Sequence, residues 1–325
     1  MTMKQLTDAG QKSEQDELKC AVLPSWIAGL PPTIFIPKVH PMRKEITQDV
    51  NVFFLAHWPF PNEKARKKFV DSDFCYGLCA TWPESVDDRM NHACRLFTLL
   101  FLIDDLLDDM SLEGGRAFNN GLLSLMQGHR MPIRENPIES MSYDIWNELH
   151  ASDPVLSMNI LVALGPFMES QTDALRAQEN IGLKALITAT GLYCTRLAIP
   201  TTDLAVTEPL DDIYMKHLIY GNDAWSYDKE LKTAQETCGT ALDVQAFSSI
   251  STLMNASGMT ARSAKRVLVF LQREMELLFG EVAEAVLTRR DTPELQSYIK
   301  MLEFQMSGSE LWATETLRYY DYTAY

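Results

Sequence analysis

From about residue 43 to the C-terminus, apolar positions recur every three to four residues, and runs that alternate like strands are nearly absent. The spacing predicts helices near 45–57, 62–70, 84–109, 115–126, 137–150, 155–180, 182–196, 209–236, 241–255, 259–289 and 293–322, with Pro, Gly and Asn between them. Ahead of these lies LPSWIAGLPPTIFIPKVHPM (23–42), whose prolines favour an extended strap over a helix. Residues 1–20 are polar and read as a disordered tail. The expected division is a disordered or extended segment over 1–30 and one all-α domain over 31–325.

One of the predicted helices ends in a way that core packing alone does not explain. LFTLLFLI (96–103) runs directly into Asp104, Asp105, Asp108 and Asp109. Four carboxylates this close repel one another unless solvent, salt or a divalent cation lies between them. A second polar stripe occurs in GNDAWSYDKE (221–230). Asn222, Ser226 and Glu230 are spaced i, i+4, i+8, so each step drifts only about 40° and all three share one helix face. An amide, a hydroxyl and a carboxylate are hard oxygen donors of the kind Mg²⁺ takes. Lys229 flanks that stripe, Trp225 is expected to point away from it, and Asp228 to be merely solvated. A polar face meeting water would account for any one of these residues, although Asn and Ser are weak helix formers in mid-helix.

Composition narrows the choice. The net charge of -15 argues against nucleic acid or an anionic membrane surface as the main partner. An anionic ligand would then need cations as intermediaries. No apolar run approaches the ~20 residues of a membrane span, and the polar N-terminus has no signal-peptide pattern, so a cytoplasmic protein is expected. The six cysteines are scattered without a zinc-type spacing and read as reduced core thiols.

The two polar stripes carry a family resemblance. DDLLD (104–108) resembles the aspartate-rich motif of class I terpene synthases, and NDAWSYDKE (222–230) resembles their second metal motif. LWATETLRYY (311–320) is similar to the C-terminal Arg-Tyr pair of these enzymes, here Arg318 and Tyr319. Arg176 stands where the family has a diphosphate-sensing arginine, with Glu179 and Asn180 at the neighbouring linker and effector positions. The resemblance covers about residue 30 to the C-terminus, and the microbial single-domain sesquiterpene synthases match it best in length. It implies an all-α helical bundle around a central cavity and a lyase that ionises a prenyl diphosphate, farnesyl diphosphate above all. Cyclisation and release of inorganic diphosphate would follow. Three Mg²⁺ ions, or Mn²⁺ in their place, would be held by Asp104 and Asp108 and by Asn222, Ser226 and Glu230. Arg176, Lys229, Arg318 and Tyr319 would donate hydrogen bonds to the diphosphate.

The same phase carries aromatic and Met side chains away from the charged residues. Phe97 and Phe101 precede Asp104 by seven and three residues, about 10 Å and 5 Å along the helix. Met215 precedes Asn222 by seven, and Trp312 precedes Tyr319 by seven. These four are the candidate pocket wall; ordinary core is the plainer reading of each alone, and Trp58 is undecided. No stable membrane insertion is expected, and the chain is read as a monomer or homodimer. A chain-elongating prenyl diphosphate synthase would show a second Asp-rich motif, and a squalene- or phytoene-synthase-like enzyme a second DxxxD. A helical binding protein descended from a synthase would be expected to lack a ligand such as Asn222 or Glu230.

Overall fold

The computed structural model describes residues 24–107, 109–172, 181–238 and 248–319. Among them no residue lies in a β-strand. The α-helices are α1 (Arg43–His57), α2 (Glu63–Ser72), α3 (Phe74–Thr81), α4 (Asp87–Leu107), α5 (Leu112–Met126) and α6 (Pro137–Ser152). They continue with α7 (Pro154–Ser170), α8 (Ile181–Thr195), α9 (Thr201–Cys238), α10 (Ser249–Ser257), α11 (Ala261–Arg289) and α12 (Pro293–Glu315). Helix α9 packs along α11 and α12, α7 along α8, α12 against α3, and α4 against α6. Helices α3, α4, α7, α8, α9 and α12 enclose a central cavity.

Several boundaries follow from local chemistry. Asn136, Asp153 and Thr292 each cap a helix whose first residue is proline, which has no N–H to leave unsatisfied there. Asp73 both ends α2 and starts α3. Its φ of 42° places it in the left-handed region that short polar side chains tolerate, and its carboxylate accepts from the Tyr76 N–H. The spacing missed α3 altogether. FCYGLCA is buried on every side, so it carries no alternation of apolar and polar faces.

Other predicted bounds shift for similar reasons. Helix α9 starts at Thr201 and runs through Pro209, which sits on an exposed face. Helix α12 stops at Glu315, because Thr316 turns its hydroxyl to the Ser72 carbonyl (3.0 Å) and also accepts from the Arg318 N–H. Arg318 and Tyr319 therefore sit on a short 3-10 turn, Leu317–Tyr319. The proline-rich strap forms one such turn at Ser25–Ile27 and is otherwise non-helical up to α1.

Two glycines let α3 and α12 touch. A Cβ on Gly308 would lie 2.2 Å from the Ala80 carbonyl oxygen, and one on Gly77 would lie 2.9 Å from the Trp312 ring. The Trp312 indole can thus rest on the α3 backbone beside the cavity. The buried apolar residues form two clusters. A large one surrounds the cavity, and a small one, built on Trp26, Trp225, Tyr227 and Leu268, lies where the strap, α9, α10 and α11 meet. Among the described residues, no helix is long and apolar enough to cross a membrane. Cys75, Cys79, Cys94 and Cys194 are buried free thiols.

Candidate active site

The cavity measures about 1080 Å³, at the upper end of ordinary ligand pockets. Asp104, Asn222, Glu230 and Tyr319 line it, as do all four of Phe97, Phe101, Met215 and Trp312. Trp58 does not: it is buried in the core cluster instead. Asp108 and Arg176, with Glu179 and Asn180, lie outside the described residues.

At the mouth, Asp104 and Asp105 occupy the last turn of α4. The Gln171 side chain donates from Nε2 to Asp104 Oδ1 at 3.2 Å, while its own Oε1 is buried with no hydrogen-bond partner among the described residues. Gln171 escaped the sequence reading because it comes from the turn after α7, sixty-seven positions away. Arg318 reaches Asp105 at 3.7 Å and lies over the Phe74 ring at 5.2 Å. Its Nη1 is buried and unpartnered among the described residues. The C-terminal turn thus meets the aspartate-bearing helix end directly. Phe74, another residue the pattern missed, also stacks on Phe101 with ring centroids 4.5 Å apart.

The second stripe lies in the middle of α9. Asn222 and Glu230 are exposed, whereas Ser226 is buried with its Oγ unpartnered among the described residues. A buried hydroxyl without a partner costs about 1–3 kcal/mol unless something else satisfies it. Carboxylate, amide and hydroxyl oxygens, one of them left unsatisfied, fit a hard divalent cation. Burial pushes the neighbouring Lys229 ammonium down to about 8, with Arg318 adding to the shift and Asp105 and Glu230 opposing it. An anionic oxygen brought to the mouth would favour its charged form.

The remaining polar residues of this helix turn bind the fold. Asp223 accepts from the Ser249 N–H at 2.7 Å and so ties the start of α10 to α9. Burial raises its pKa, and the bonds from Ser249 oppose that. Asp228, expected to be merely solvated, pairs with Lys265 at 2.6 Å, because α11 passes directly behind. Trp225, expected to point away from the stripe, is buried and lines the cavity as well. Its ring lies between Trp26 of the strap (5.1 Å) and Tyr319 (6.5 Å). Among the described residues one further carboxylate cluster of metal-ligand type occurs, His217, Glu276 and Glu310. Arg273 already bonds both of its glutamates.

The cavity wall is apolar over most of its length. Trp82 meets Phe97 edge-on at 5.2 Å, and Trp312 meets Tyr319 at 5.7 Å. The seven-residue step also continues down α12 from Trp312 to Gln305, which lines the cavity and is fully buried. This space therefore offers candidate cation ligands beside cationic side chains, and a wall made mostly of rings and aliphatic chains, with Gln305 among them.

No family model matches the chain. Curated relatives do. Over 305 residues it is 40% identical to an aristolochene synthase of Aspergillus terreus, covering 89% of this chain and 93% of that protein. It is 39% identical over 310 residues to a (+)-aristolochene synthase of Penicillium expansum, covering 90% and 92% of the two chains. Among solved structures, aristolochene synthase from Penicillium roqueforti superposes with a TM-score of 0.78 at 33% identity, covering 87% of this chain and 98% of that one.

Proposed function

The chain belongs to the class I terpene synthases, and from that premise we propose that it ionises farnesyl diphosphate and cyclises the resulting cation to a sesquiterpene. One observation carries this reading. Asp104, Asn222 and Glu230 of the two stripes and Tyr319 of the C-terminal pair line one largely apolar cavity of about 1080 Å³, and Arg318 reaches Asp105. A diphosphate bearing a fifteen-carbon tail has this division of polarity. The aristolochene synthases among its relatives support the sesquiterpene class.

In this reading Asp104 would hold divalent cations from the α4 side, Asp108 would share that role by the family resemblance, and Asn222, Ser226 and Glu230 would hold one from the α9 side. Magnesium ions bound there supply Lewis-acid stabilisation to the diphosphate as it leaves. Gln171 fixes the rotamer of Asp104, as outer partners do at metal sites. Lys229, Arg318 and Tyr319 would donate hydrogen bonds to the diphosphate oxygens, a role the family resemblance also gives Arg176. These are cationic or strong donors for a charge that grows during bond cleavage. The C–O bond breaks, its electron pair goes to the diphosphate oxygen, and an allylic cation remains on the tail.

From there the wall takes over. The rings of Phe97, Phe101 and Trp312 line the wall, and a ring face turned to the cation in a dry site is worth about 2 kcal/mol. Their shape folds the chain so that a distant double bond meets the cation. Arg318 bridging toward Asp105 helps close the mouth and keeps out water that would quench it. Loss of a proton then leaves a neutral hydrocarbon. The test is incubation with farnesyl diphosphate and Mg²⁺, following diphosphate release and the volatile products together. A cyclic fifteen-carbon hydrocarbon is expected. Elongated prenyl diphosphates in its place would overturn the reading.

A further inference from the structure

The second metal-type stripe does not rest on the large core. Behind it lies the small apolar cluster of Trp26, Ala224, Trp225, Tyr227, Leu268 and their neighbours, and one of its largest members, Trp26, comes from the N-terminal strap. Trp26 is buried at 7% exposure and meets Trp225 edge-on with ring centroids 5.1 Å apart. Trp225 in turn packs toward Tyr319, and Tyr319 toward Trp312 of the cavity wall. A continuous row of rings thus runs from the strap to the cavity, passing through the turn that carries Asn222 and Ser226.

The strap is fastened along residues 25–34 by α11. Arg266 donates to the carbonyls of Trp26 (2.7 Å) and Ala28 (2.8 Å), and Arg262 to that of Ser25 (3.2 Å). Arg273 donates to the Pro31 carbonyl, and Glu276 accepts from the Ile34 N–H. Lys265 sits beneath the Trp26 ring at 5.4 Å and pairs with Asp228 on the far face of the same α9 turn. Main-chain carbonyls held by guanidinium groups fix where the strap lies, and this decides where the Trp26 ring presses.

We propose that Trp26 is a positioning residue: through Trp225 it sets the placement of the Asn222–Ser226–Glu230 stripe and of Tyr319, and so tunes how tightly the mouth takes a metal-diphosphate pair. The proposal rests on the function proposed above but is separable from it. Wild-type turnover tests that function, whereas the difference between variants tests this contact. Without Trp26, the Trp225 ring loses its backing and the turn can shift by a side-chain rotation. Loss of an outer support at a metal site weakens it by about 10–100-fold, and an apolar contact lies at the low end.

The experiment compares the wild type, Trp26→Ala, Trp26→Phe and Arg266→Gln. Inorganic diphosphate is titrated into each protein with Mg²⁺ present and followed by calorimetry, alongside melting temperature and the Mg²⁺ dependence of turnover. Trp26→Ala is expected to weaken diphosphate binding and raise the half-saturating Mg²⁺ by about tenfold. Trp26→Phe should restore most of both. Arg266→Gln, which loosens the strap without emptying the cluster, should give an intermediate shift even if Trp26→Ala does not fold. Unchanged diphosphate affinity and Mg²⁺ requirement in Arg266→Gln and in every folded Trp26 variant, whatever the melting temperature, would overturn the proposal.

Discussion

The two metal-type stripes stand on different ground. Asp104 ends a helix whose inner face is part of the large core, with Leu99 and Ile103 fully buried directly before it. A hydrogen bond from Gln171 reaches its carboxylate. Asn222, Ser226 and Glu230 sit mid-helix over a satellite cluster of modest size, completed by the strap and tied by Asp223 to α10 and by Asp228 to α11. The first stripe has a rigid base, and the second has a light base braced on several sides. Loss of the Gln171 contact at the first should therefore change chemistry with little change in stability. Substitutions behind the second should change ligand affinity through packing.

The largest expected effect tests whether both stripes matter at all. Glu230→Gln and Asp104→Asn each keep size and hydrogen bonding but remove a charge that holds a hard cation. Each should lower the rate of diphosphate release by about 100-fold or more. Glu230 is exposed, so its variant should melt within a degree or two of the wild type. Normal turnover in either variant would remove that stripe from the site. Next comes the Gln171 contact to Asp104. Gln171→Ala should cost about tenfold in rate while leaving the melting temperature nearly unchanged, since its Oε1 has no hydrogen-bond partner to lose among the described residues. A large stability loss with normal kinetics would mean that Gln171 serves packing alone.

Phe101→Ala moves the comparison to the wall. In an ordinary core the change costs ~3–5 kcal/mol. Phe101 is only half-buried and faces the cavity on one side, so the loss should be smaller. The variant should still release diphosphate but give a changed product mixture, richer in acyclic or alcohol products. A badly destabilised protein with an unchanged profile would make Phe101 core and nothing more. The smallest effect lies outside both stripes. Burial raises Asp211 to about 6, against bonds from Tyr298 and Thr207 that lower it. A carboxyl whose folded pKa is raised is costless below its ordinary value near 4, and its burial penalty builds between about pH 4 and 6. Asp211→Asn should gain about 1–3 kcal/mol at pH 7 and none at pH 4. Thermal melts at the two pH values measure this, and an equal gain at both would assign it to packing.

Spacing made the candidate residues legible because a helix converts i, i+4, i+8 into one face wherever that helix lies. The same arithmetic, seven residues back from Asp104, Asn222 and Tyr319, found Phe97, Met215 and Trp312, which line the cavity. What it could not find were contacts made across helices. Gln171 reaches Asp104, Phe74 stacks on Phe101, and Trp26 backs Trp225, each from a segment whose own pattern is uninformative. Helix α3 escaped for the opposite reason. A helix apolar all round has no face to read, and only the left-handed turn at Asp73 separates it from α2. The end of α12 was overrun by seven residues because the signal that stops it, the Thr316 bond to Ser72, spans most of the chain.

If the two oxygen-donor stripes and the C-terminal turn form one cation-dependent diphosphate site at the mouth of the cavity, turnover must stop when the cation is removed. The decisive measurement is diphosphate release from farnesyl diphosphate with Mg²⁺ and again in excess EDTA, with circular dichroism on both samples. Release with formation of a cyclic sesquiterpene is expected in Mg²⁺, and loss of both in EDTA, while the helical signal stays the same. Undiminished release in EDTA from a folded protein would rule that site out.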